Sequence, residues 1–284
     1  MEIERELINQ IVATVPKSEV AVLHRFALGV ADAMKGLIME LWRGGSFDET
    51  LKEDKTPVTV IDLKAEELAR AMISKQFPDH GIIGEEFDPI NPESDFQWTV
   101  DPIDGTQNLV NRIPTFGTLI GVRYKGQAIL GVIDHPVLNL RTSGGIGIGV
   151  VHNGAKLALA DIDGDQLSPH DIIATNSLAV FGRSVEAEKQ FARVMSFHPH
   201  ARIYYDCYAQ TLAILGSLAV VVEPGLKIWD ITPCEALLAE LGGGCVKFGE
   251  VPGVPSKMLV NAVFGKRKAV QWMCSHLEIV PSSL

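Results

Sequence analysis

The sequence predicts two halves of different architecture, an N-terminal α+β half and a C-terminal α/β half. The first half has amphipathic helical patterns followed by short alternating strands that tight turns connect. Beyond a boundary near Gly164, strands and helices alternate, which is typical of α/β structure. We therefore expect residues 1–163 and 164–284 to form two closely associated units, with the functional cleft between them.

Two helices are predicted within the first 45 residues, where apolar side chains recur at helical spacing. A break falls at Pro16, Ser18 is expected to be the N-cap of the second helix, and a pair of glycines ends that helix. A polar stretch then leads to a third helix over 62–77. Glu66 and Glu67 on this helix are expected to face solvent.

Strands are predicted wherever short alternating or β-branched runs are bounded by turn residues. GIIGEEF and FQWTVD begin the first sheet, and residues 116–134 form a hairpin. A second hairpin, with arms GIGIGVV and KLALA, is predicted around Asn153 and Gly154, a strong type I′ turn signal. In the C-terminal half, the strands DIIATN, ARIYY, AVVVEP and KMLVNA alternate with helices over 184–196, 207–216 and 232–241.

Composition and charge exclude several function classes. The 284 residues include 35 acidic and 25 basic side chains, giving a formal net charge of −10. This balance argues against nucleic acid as the main partner, because phosphate backbones are bound by basic surfaces. The sequence has no signal-peptide pattern, no apolar run of about 20 residues, and no C-x-x-C pair among its four cysteines. We expect a reduced, cytoplasmic protein with no membrane partner.

Three short acidic motifs and one further carboxylate are the candidates for chemistry. They are Gly84-Glu85-Glu86, the DPIDGT run from Asp101 to Thr106, the WDITP run from Trp229 to Pro233, and Asp62. Two carboxylates on one rigid turn can share a hard cation such as Mg²⁺, although an acidic turn that only caps the next element is the alternative. A metal ion is favoured because the motifs contain no basic residue and burying unpaired carboxylates is costly.

The order GEE, then W-x-x-DPIDGT, then WD-x-x-P resembles the inositol monophosphatase superfamily over about residues 52–243. The resemblance implies a layered αβαβα sandwich, similar to that of fructose-1,6-bisphosphatase. It also implies a phosphatase that uses two or three Mg²⁺ ions to hydrolyse a small phosphorylated substrate. Inhibition by lithium and a homodimeric assembly are further expectations from the family.

The resemblance also assigns roles to single residues. The implied metal ligands are Glu85, Asp101, the Ile103 carbonyl, Asp104 and Asp230. Asp62, Thr106 and Glu85 would position the attacking water, and the amides of Gly105 and Thr106 would bind phosphate oxygens. Metal ions about 3.5–4 Å apart would clamp the phosphate and activate water, so we expect direct in-line hydrolysis without a phosphoenzyme.

The C-terminal half is expected to select the substrate. The candidate substrate-binding residues are Asp104, Asp206, Glu223 and Asp230. Pro114–Ile120, Gly131–Pro136 and the segment that begins at Asp206 are more similar to the histidinol-phosphate phosphatase branch. There, an acidic pocket of Asp206 and Glu223 would suit the amino group of histidinol. Tyr204-Tyr205 departs from the pattern, so inositol 1-phosphate and other sugar or nucleotide phosphates stay open as substrates.

Two other functions compete with this interpretation. The segment Asp161–Asp165 faintly resembles the nucleophile motif of haloacid-dehalogenase phosphatases, but Asp165 replaces its threonine and a solvated acidic turn is the simpler interpretation. A non-catalytic metal-binding scaffold would be expected to lack a residue of the core site. All six are present: Asp62, Glu85, Asp101, Asp104, Thr106 and Asp230.

Overall fold

The computed structural model describes residues 14–45, 49–51, 57–182, 185–248 and 259–279. Within these ranges the chain forms eight helices, a seven-stranded sheet, a five-stranded sheet and a two-stranded ribbon. Helices cover both outer faces and separate the two large sheets. The layered αβαβα sandwich is therefore confirmed.

The first helical layer consists of α1 (Lys17–Gly44) and α2 (Val60–Gln76), which pack on the seven-stranded sheet. Gly45 ends α1 in the left-handed conformation, with φ of 87°, as the glycine pair predicts. The predicted N-cap at Ser18 is wrong, because the carbonyl of Pro16 already accepts the amides of Glu19 and Val20. The helix predicted from residue 3 to the break at Pro16 lies outside the described ranges over residues 3–13, and residues 14–15 form a turn and a bend.

The seven-stranded sheet follows the order of the chain. Its strands are β3 (Gly81–Gly84), β4 (Phe96–Asp104), β5 (Gly117–Tyr124), β6 (Gln127–His135), β7 (Leu140–Gly145), β8 (Gly149–His152) and β9 (Ala155–Lys156). β3 and β4 are parallel, and every later neighbour is antiparallel. The short ribbon β1 (Glu49–Leu51) and β2 (Pro57–Thr59) precedes α2, and helix α3 (Thr106–Val110) follows β4 directly. The start of α2 and the C-terminal ends of β3 and β4 therefore lie close to one another.

The second predicted hairpin is correct at its turn and wrong in its arms. Asn153 and Gly154 have φ of 48° and 81°, as a type I′ turn requires. The GIGIGVV run is not one strand, because a turn over residues 146–148, with Gly147 at its centre and Gly149 directly after it, separates β7 from β8. The carboxylate of Glu240, from far along the chain, accepts both of those glycine amides. This tertiary contact has no local signature in the sequence.

The middle helical layer consists of α6 (Asp206–Ile214) and α7 (Ile228–Leu241), which lie between the sheets. The five-stranded sheet has the order β11 (Ala201–Ile203), β10 (Ile173–Thr175), β12 (Val220–Lys227), β14 (Leu259–Gly265), β13 (Gly244–Phe248). β10 is parallel to both neighbours, whereas β13 and β14 are antiparallel. β13 was not predicted, and α7 begins four residues before the predicted start at position 232.

The outer helical layer consists of α4 (Leu178–Phe181), α5 (Val185–Ser196) and α8 (Arg267–Leu277). α4 and α8 were not predicted. Among the helices of the described ranges, none has both the length and the apolarity of a membrane span. The predicted boundary near Gly164 stays a prediction; it falls between β9, the last strand of the first sheet, and β10.

Candidate active site

Three carboxylates from two distant parts of the chain meet at the centre of the site. Carboxylate oxygens of Asp101, Asp104 and Asp230 lie within 4.8 Å of one another. Asp101 and Asp104 belong to the end of β4, and Asp230 lies in the first turn of α7. The DPIDGT and WDITP motifs, separated by more than a hundred residues, therefore form one acidic cluster.

The end of β4 is irregular, and this irregularity presents both of its aspartates. The pairing with β5 shifts between Asp101 and Asp104, so the strand bulges at Pro102. The carboxylate of Asp101 accepts the Ile103 amide at 3.0 Å, which fixes the turn. Gly105 follows with φ of 83°, where a Cβ atom would also lie only 3.0 Å from the carboxylate of Asp206. Glycine is therefore required at this position.

Asp230 is oriented by its own helix. Its Oδ2 atom accepts the amide of Lys227 at 2.7 Å, a capping contact at the start of α7. The side-chain amide of Gln210, on α6, donates to the backbone carbonyl of Asp230 at 3.1 Å. The helix dipole of α7 also favours a negative charge in its first turn. The early start of α7 thus explains why an acidic residue is tolerated beside an apolar helix.

Asp62 and Thr106 form a hydrogen-bonded pair beside the cluster. The Thr106 hydroxyl lies 3.1 Å from Asp62 Oδ1 and 3.1 Å from the Ile103 carbonyl oxygen. Asp62 is fully buried, and its other oxygen accepts the amide and the hydroxyl of Thr59. Burial raises the pKa of Asp62, and hydrogen bonds from Thr59 and Thr106 oppose that rise. Thr59 was missed by sequence analysis, although a threonine three residues before an aspartate is a helix-capping signal.

Glu85 lies next to Asp101 at the end of β3. Gly84 pairs with Val100 of β4, and the Glu85 amide donates to the Val100 carbonyl at 3.2 Å. A side-chain contact with Glu85 is one of the causes that raise the pKa of Asp101. The structure thus brings the GEE motif to the same acidic cluster.

Glu66 contradicts the expectation that it faces solvent. It is fully buried under the GEE segment, whereas its neighbour Glu67 is exposed. Its carboxylate accepts Arg70 Nε at 2.7 Å and the Glu86 amide at 2.8 Å. The burial is tolerated because Arg70, one helical turn away, supplies a paired charge.

Burial and mutual repulsion disfavour the charged forms of the cluster. Burial is the main cause that raises the pKa of Asp101 and of Asp230 well above the usual range, and neighbouring carboxylates add to it. Burial raises the pKa of Asp104 to about 6, even though the side chain and amide of Cys207 oppose the shift. The cluster holds several carboxylates, and within the described residues Asp101, Asp104 and Asp230 form no ion pair with a basic side chain. Its oxygen donors fit a hard divalent cation, which would relieve this repulsion.

The predicted substrate residues lie on the Asp104 side of the cluster. Glu223, on β12, is 1% exposed; its Oε1 atom accepts the side-chain amide of Asn176 at 2.9 Å. Within the part of the chain that is described, its Oε2 atom has no hydrogen-bond partner. Burial, with repulsion from Asp104, raises the pKa of Glu223 to about 8. This orphaned oxygen is a free acceptor for a ligand.

Asp206 lies beside Glu223 in a strained backbone conformation. Its φ is 59°, and its Oδ2 atom accepts the side-chain amide of Asn108 at 3.3 Å. Burial raises its pKa well above the usual range, with repulsion from Asp104 and Glu223 as further causes. Asn108 was missed because it lies in a short helix that carries no recognisable motif. Asn176 was missed too, although it follows β10, and the carboxyl ends of parallel strands commonly bind ligands.

The acidic segment Asp161–Asp165 lies away from the cluster and makes structural contacts. Asp161 accepts the amide of Ile162 at 2.9 Å and that of Lys268, in the first turn of α8, at 3.0 Å. Asp165 is 92% exposed, with its carboxylate 3.7 Å from the amine of Lys268. The segment therefore caps α8 from a solvated turn.

The buried carboxylates give the metal-free protein an expected pH dependence. Because Glu223 titrates near pH 8 when folded and ordinarily near 4.5, the folded state binds more protons over that interval. The free energy of unfolding should therefore fall as the pH rises from about pH 7 to pH 8.5. Ordinary histidines titrate below this interval and should contribute little to the change. Thermal unfolding with EDTA measures this slope, which Glu223→Gln should reduce. A stability that rises over this interval would contradict the raised pKa of Glu223.

Comparison with known proteins agrees with the geometry. The sequence profile of the inositol monophosphatase family matches residues 19–279. A histidinol-phosphatase of Chlorobaculum parvum is 31% identical over 249 residues, which cover 84% of this chain and 91% of that protein. The bifunctional phosphatase IMPL2 of Arabidopsis thaliana, a chloroplastic protein, is 36% identical over 226 residues; these cover 78% of this chain and 64% of the longer plant protein.

A solved structure gives the same result for the fold. The structure of an inositol monophosphatase from Zymomonas mobilis superposes with a TM-score of 0.75 at 27% identity, covering 89% of this chain and 96% of that one. The profile match extends over every residue of the acidic cluster. The chain therefore belongs to the inositol monophosphatase family, whose members are phosphatases that hydrolyse phosphate monoesters.

Proposed function

We propose that the chain hydrolyses histidinol phosphate in a Mg²⁺-dependent reaction. The observation that carries this proposal is a pair of carboxylates, half-buried Asp206 and buried Glu223, beside the Asp101–Asp104–Asp230 cluster. A phosphate monoester that also carries an amino group would bring a positive charge to this pair. The names of the Chlorobaculum parvum relative and of others like it support the same substrate.

The proposed metal ligands are those implied by the resemblance. They are Glu85, Asp101, the Ile103 carbonyl, Asp104 and Asp230, for two or three ions. Bound Mg²⁺ would supply the positive charge that stabilises phosphoryl oxygens and makes a water more acidic. The mutual repulsion of the described carboxylates supports this assignment, because a cation would offset it.

The proposed water-positioning group consists of Asp62, Thr106 and Glu85. The Thr106 hydroxyl can donate its proton to Asp62 Oδ1, 3.1 Å away, which leaves an oxygen lone pair to accept a hydrogen bond from water. Buried Asp62 holds this hydroxyl in one orientation because Thr59 fixes its second oxygen. Water held by Thr106 and Glu85 would attack phosphorus in line while the bond from phosphorus to the ester oxygen breaks. The substrate's alcohol would leave with a proton from that water, and no covalent phosphoenzyme would form.

The proposed phosphate contacts are the backbone amides of Gly105 and Thr106. The left-handed backbone of Gly105 turns the chain sharply from β4 into α3. In the present structure the Gly105 amide interacts with the Asp104 carboxylate and lowers its pKa, so phosphate binding would redirect this amide. Besides burial, repulsion from Asp104 raises the pKa of Asp206, and repulsion from Glu223 raises that of Asp230; both observations support assigning Asp104 and Asp230 to the substrate's alcohol portion as well.

Inositol 1-phosphate is the second candidate, and one observation favours it. With a pKa of about 8, Glu223 is largely protonated at neutral pH and can hydrogen-bond a neutral hydroxyl group. A broad range of sugar or nucleotide phosphates would use the same contact. A homodimer and inhibition by lithium are parts of the proposal that follow from the family resemblance alone, and a cytoplasmic location is a part that follows from the sequence patterns alone.

Phosphate release by the purified protein distinguishes these substrates. With Mg²⁺ present, we expect kcat/KM for histidinol phosphate to exceed that for inositol 1-phosphate by at least about tenfold, because only the former pairs a charge with Asp206. EDTA should abolish both activities. A preference for inositol 1-phosphate would reject the amine assignment, and equal turnover would indicate a broad phosphatase.

A further inference from the structure

We propose that Glu66 and Arg70 form a brace that positions Glu85 for metal binding. This inference rests on the proposed function only in assigning a metal ion to the cluster that contains Glu85. Neither brace residue belongs to the acidic cluster itself. They act from α2, through the backbone of the segment that follows Glu85.

The brace contacts the backbone at three consecutive residues. Glu66 Oε2 accepts the Glu86 amide at 2.8 Å. The Arg70 guanidinium donates to the carbonyl of Phe87 at 2.8 Å and to that of Asp88 at 2.9 Å. Three hydrogen bonds from one ion pair thus hold residues 86–88.

The Glu66–Arg70 ion pair is buried and hydrogen-bonded, so its side chains are held in one position. Glu66 is completely buried and Arg70 is 8% exposed, and the pair is closed by the Arg70 Nε to Glu66 Oε1 contact at 2.7 Å. The Arg70 guanidinium also lies 5.6 Å from the centre of the Phe87 ring. Buried, hydrogen-bonded charges have few alternative positions, because any unpaired state would be costly.

Gly84, the glycine of the GEE motif, lies in close contact with the carboxylate of Glu66. A Cβ atom at position 84 would lie 2.0 Å from Glu66 Oε1 and 2.4 Å from its carboxyl carbon. Gly84 therefore lets the Glu66 carboxylate lie directly under the strand end. The requirement for glycine at the start of the GEE motif therefore comes from the contact with Glu66 and not from metal binding.

Glu85 is consequently fixed on both sides. Before it, β3 pairs with β4, and the Glu85 amide donates to Val100. After it, the Glu66–Arg70 brace holds the chain. Weakening the brace should let the Glu85 carboxylate move away from Asp101 without removing any metal ligand.

The test measures metal affinity in brace variants. Glu66→Gln keeps an acceptor for the Glu86 amide but loses the charge that pairs with Arg70; Arg70→Met loses both carbonyl contacts. We expect each variant to raise the Mn²⁺ dissociation constant, measured by electron paramagnetic resonance, and the Mg²⁺ concentration for half-maximal phosphate release by about 10-fold or more, as outer-shell changes generally do. At saturating Mg²⁺, KM for the phosphate substrate should stay near the wild-type value.

Two comparisons separate positioning from general stability. Glu67→Gln changes the exposed neighbour on the same helix and should bind Mn²⁺ like the wild type. Arg70→Lys keeps a charge for Glu66 but cannot reach both carbonyls, so its Mn²⁺ affinity should fall between those of Arg70→Met and the wild type. If the brace variants unfold at a lower temperature yet bind Mn²⁺ as tightly as the wild type, the brace is structural only and the proposal is wrong.

The outcomes also distinguish this inference from the proposed function. If the wild type binds Mn²⁺ and the brace variants bind it more weakly, the positioning role holds even when no phosphate ester is hydrolysed. In that case only the proposed function fails. If the wild type binds no Mn²⁺, the acidic cluster is not a metal site, and the positioning role fails with it.

Discussion

Replacing Asp101 by asparagine is expected to lower the rate of phosphate release by at least about 10³-fold at saturating substrate. Asp101 is the most deeply buried member of the Asp101–Asp104–Asp230 cluster, and the resemblance implies that it is a metal ligand. Asparagine has nearly the same shape but offers one neutral oxygen. Losing metal-dependent stabilisation of about 4 kcal/mol corresponds to such a rate decrease. The measurement is phosphate release over a range of Mg²⁺ concentrations.

The same variant should be more stable than the wild type when metal is absent. Asp101 is repelled by Glu85, Asp104 and Asp230, and burial opposes its charged form. Removing this charge should raise the unfolding temperature of the metal-free protein by a few degrees, about 1 kcal/mol for a chain of this size. Addition of Mg²⁺ should then stabilise the wild type but not Asp101→Asn. Higher stability of the metal-free variant together with lower activity would identify Asp101 as a residue kept for function and not for stability.

Asp95→Asn is the matched control for Asp101→Asn. Asp95 lies just before the same strand, β4, and its exposed carboxylate is 3.8 Å from the amine of Lys125. Exposed ion pairs of this kind contribute little to stability, about 0–1 kcal/mol. The control should therefore keep wild-type activity and Mg²⁺ response. An Asp101→Asn protein that remained folded and fully active would reject the site assignment.

Asp206→Asn is expected to reduce kcat/KM for histidinol phosphate by about 100-fold, equivalent to about 3 kcal/mol for breaking a buried ion pair. The substrate's ammonium group would favour the ionised form of Asp206, whose pKa burial otherwise raises. Asparagine suits this position because it tolerates the left-handed φ of 59°. It also keeps an oxygen that can accept from Asn108. The backbone should therefore remain in place while the charge is lost.

Substrate comparison makes this second prediction specific. For inositol 1-phosphate, which has no amino group, Asp206→Asn should change kcat/KM by less than about tenfold, because only neutral hydrogen bonds change. Asp165→Asn, the same substitution at an exposed position of the C-terminal half, should alter neither substrate. Equal losses for both substrates would show that Asp206 supports the site in general and does not recognise an amine.

Local sequence patterns predicted most of the elements that carry the acidic cluster. The β4 strand ending at DPIDGT, the helix after Asp62 and the turn at Asn153 all depend on neighbouring residues, and the structure has them. Such features follow from alternation, capping and turn preferences within a few positions. Their tertiary arrangement was reached through the family resemblance and not through local patterns.

The errors share a physical cause, which is contact with distant parts of the chain. Glu240 stabilises the turn between β7 and β8, and Arg70 makes the burial of Glu66 favourable. Neither contact is visible from hydrophobic periodicity, because a charged residue on a helix faces solvent in most sequences. The i to i+4 spacing of Glu66 and Arg70 was available as a signal. What it could not show is that β3 and the GEE segment cover this helix face.

Calorimetric titration of Mg²⁺ into the metal-free wild type and into Asp101→Asn, with phosphate release assayed in the same samples, tests whether the acidic cluster is the catalytic metal centre. The predicted result is saturable Mg²⁺ binding and EDTA-sensitive phosphate release by the wild type, with both lost in the variant. Phosphate release that persists in EDTA, or identical Mg²⁺ binding by the two proteins, would contradict the assignment.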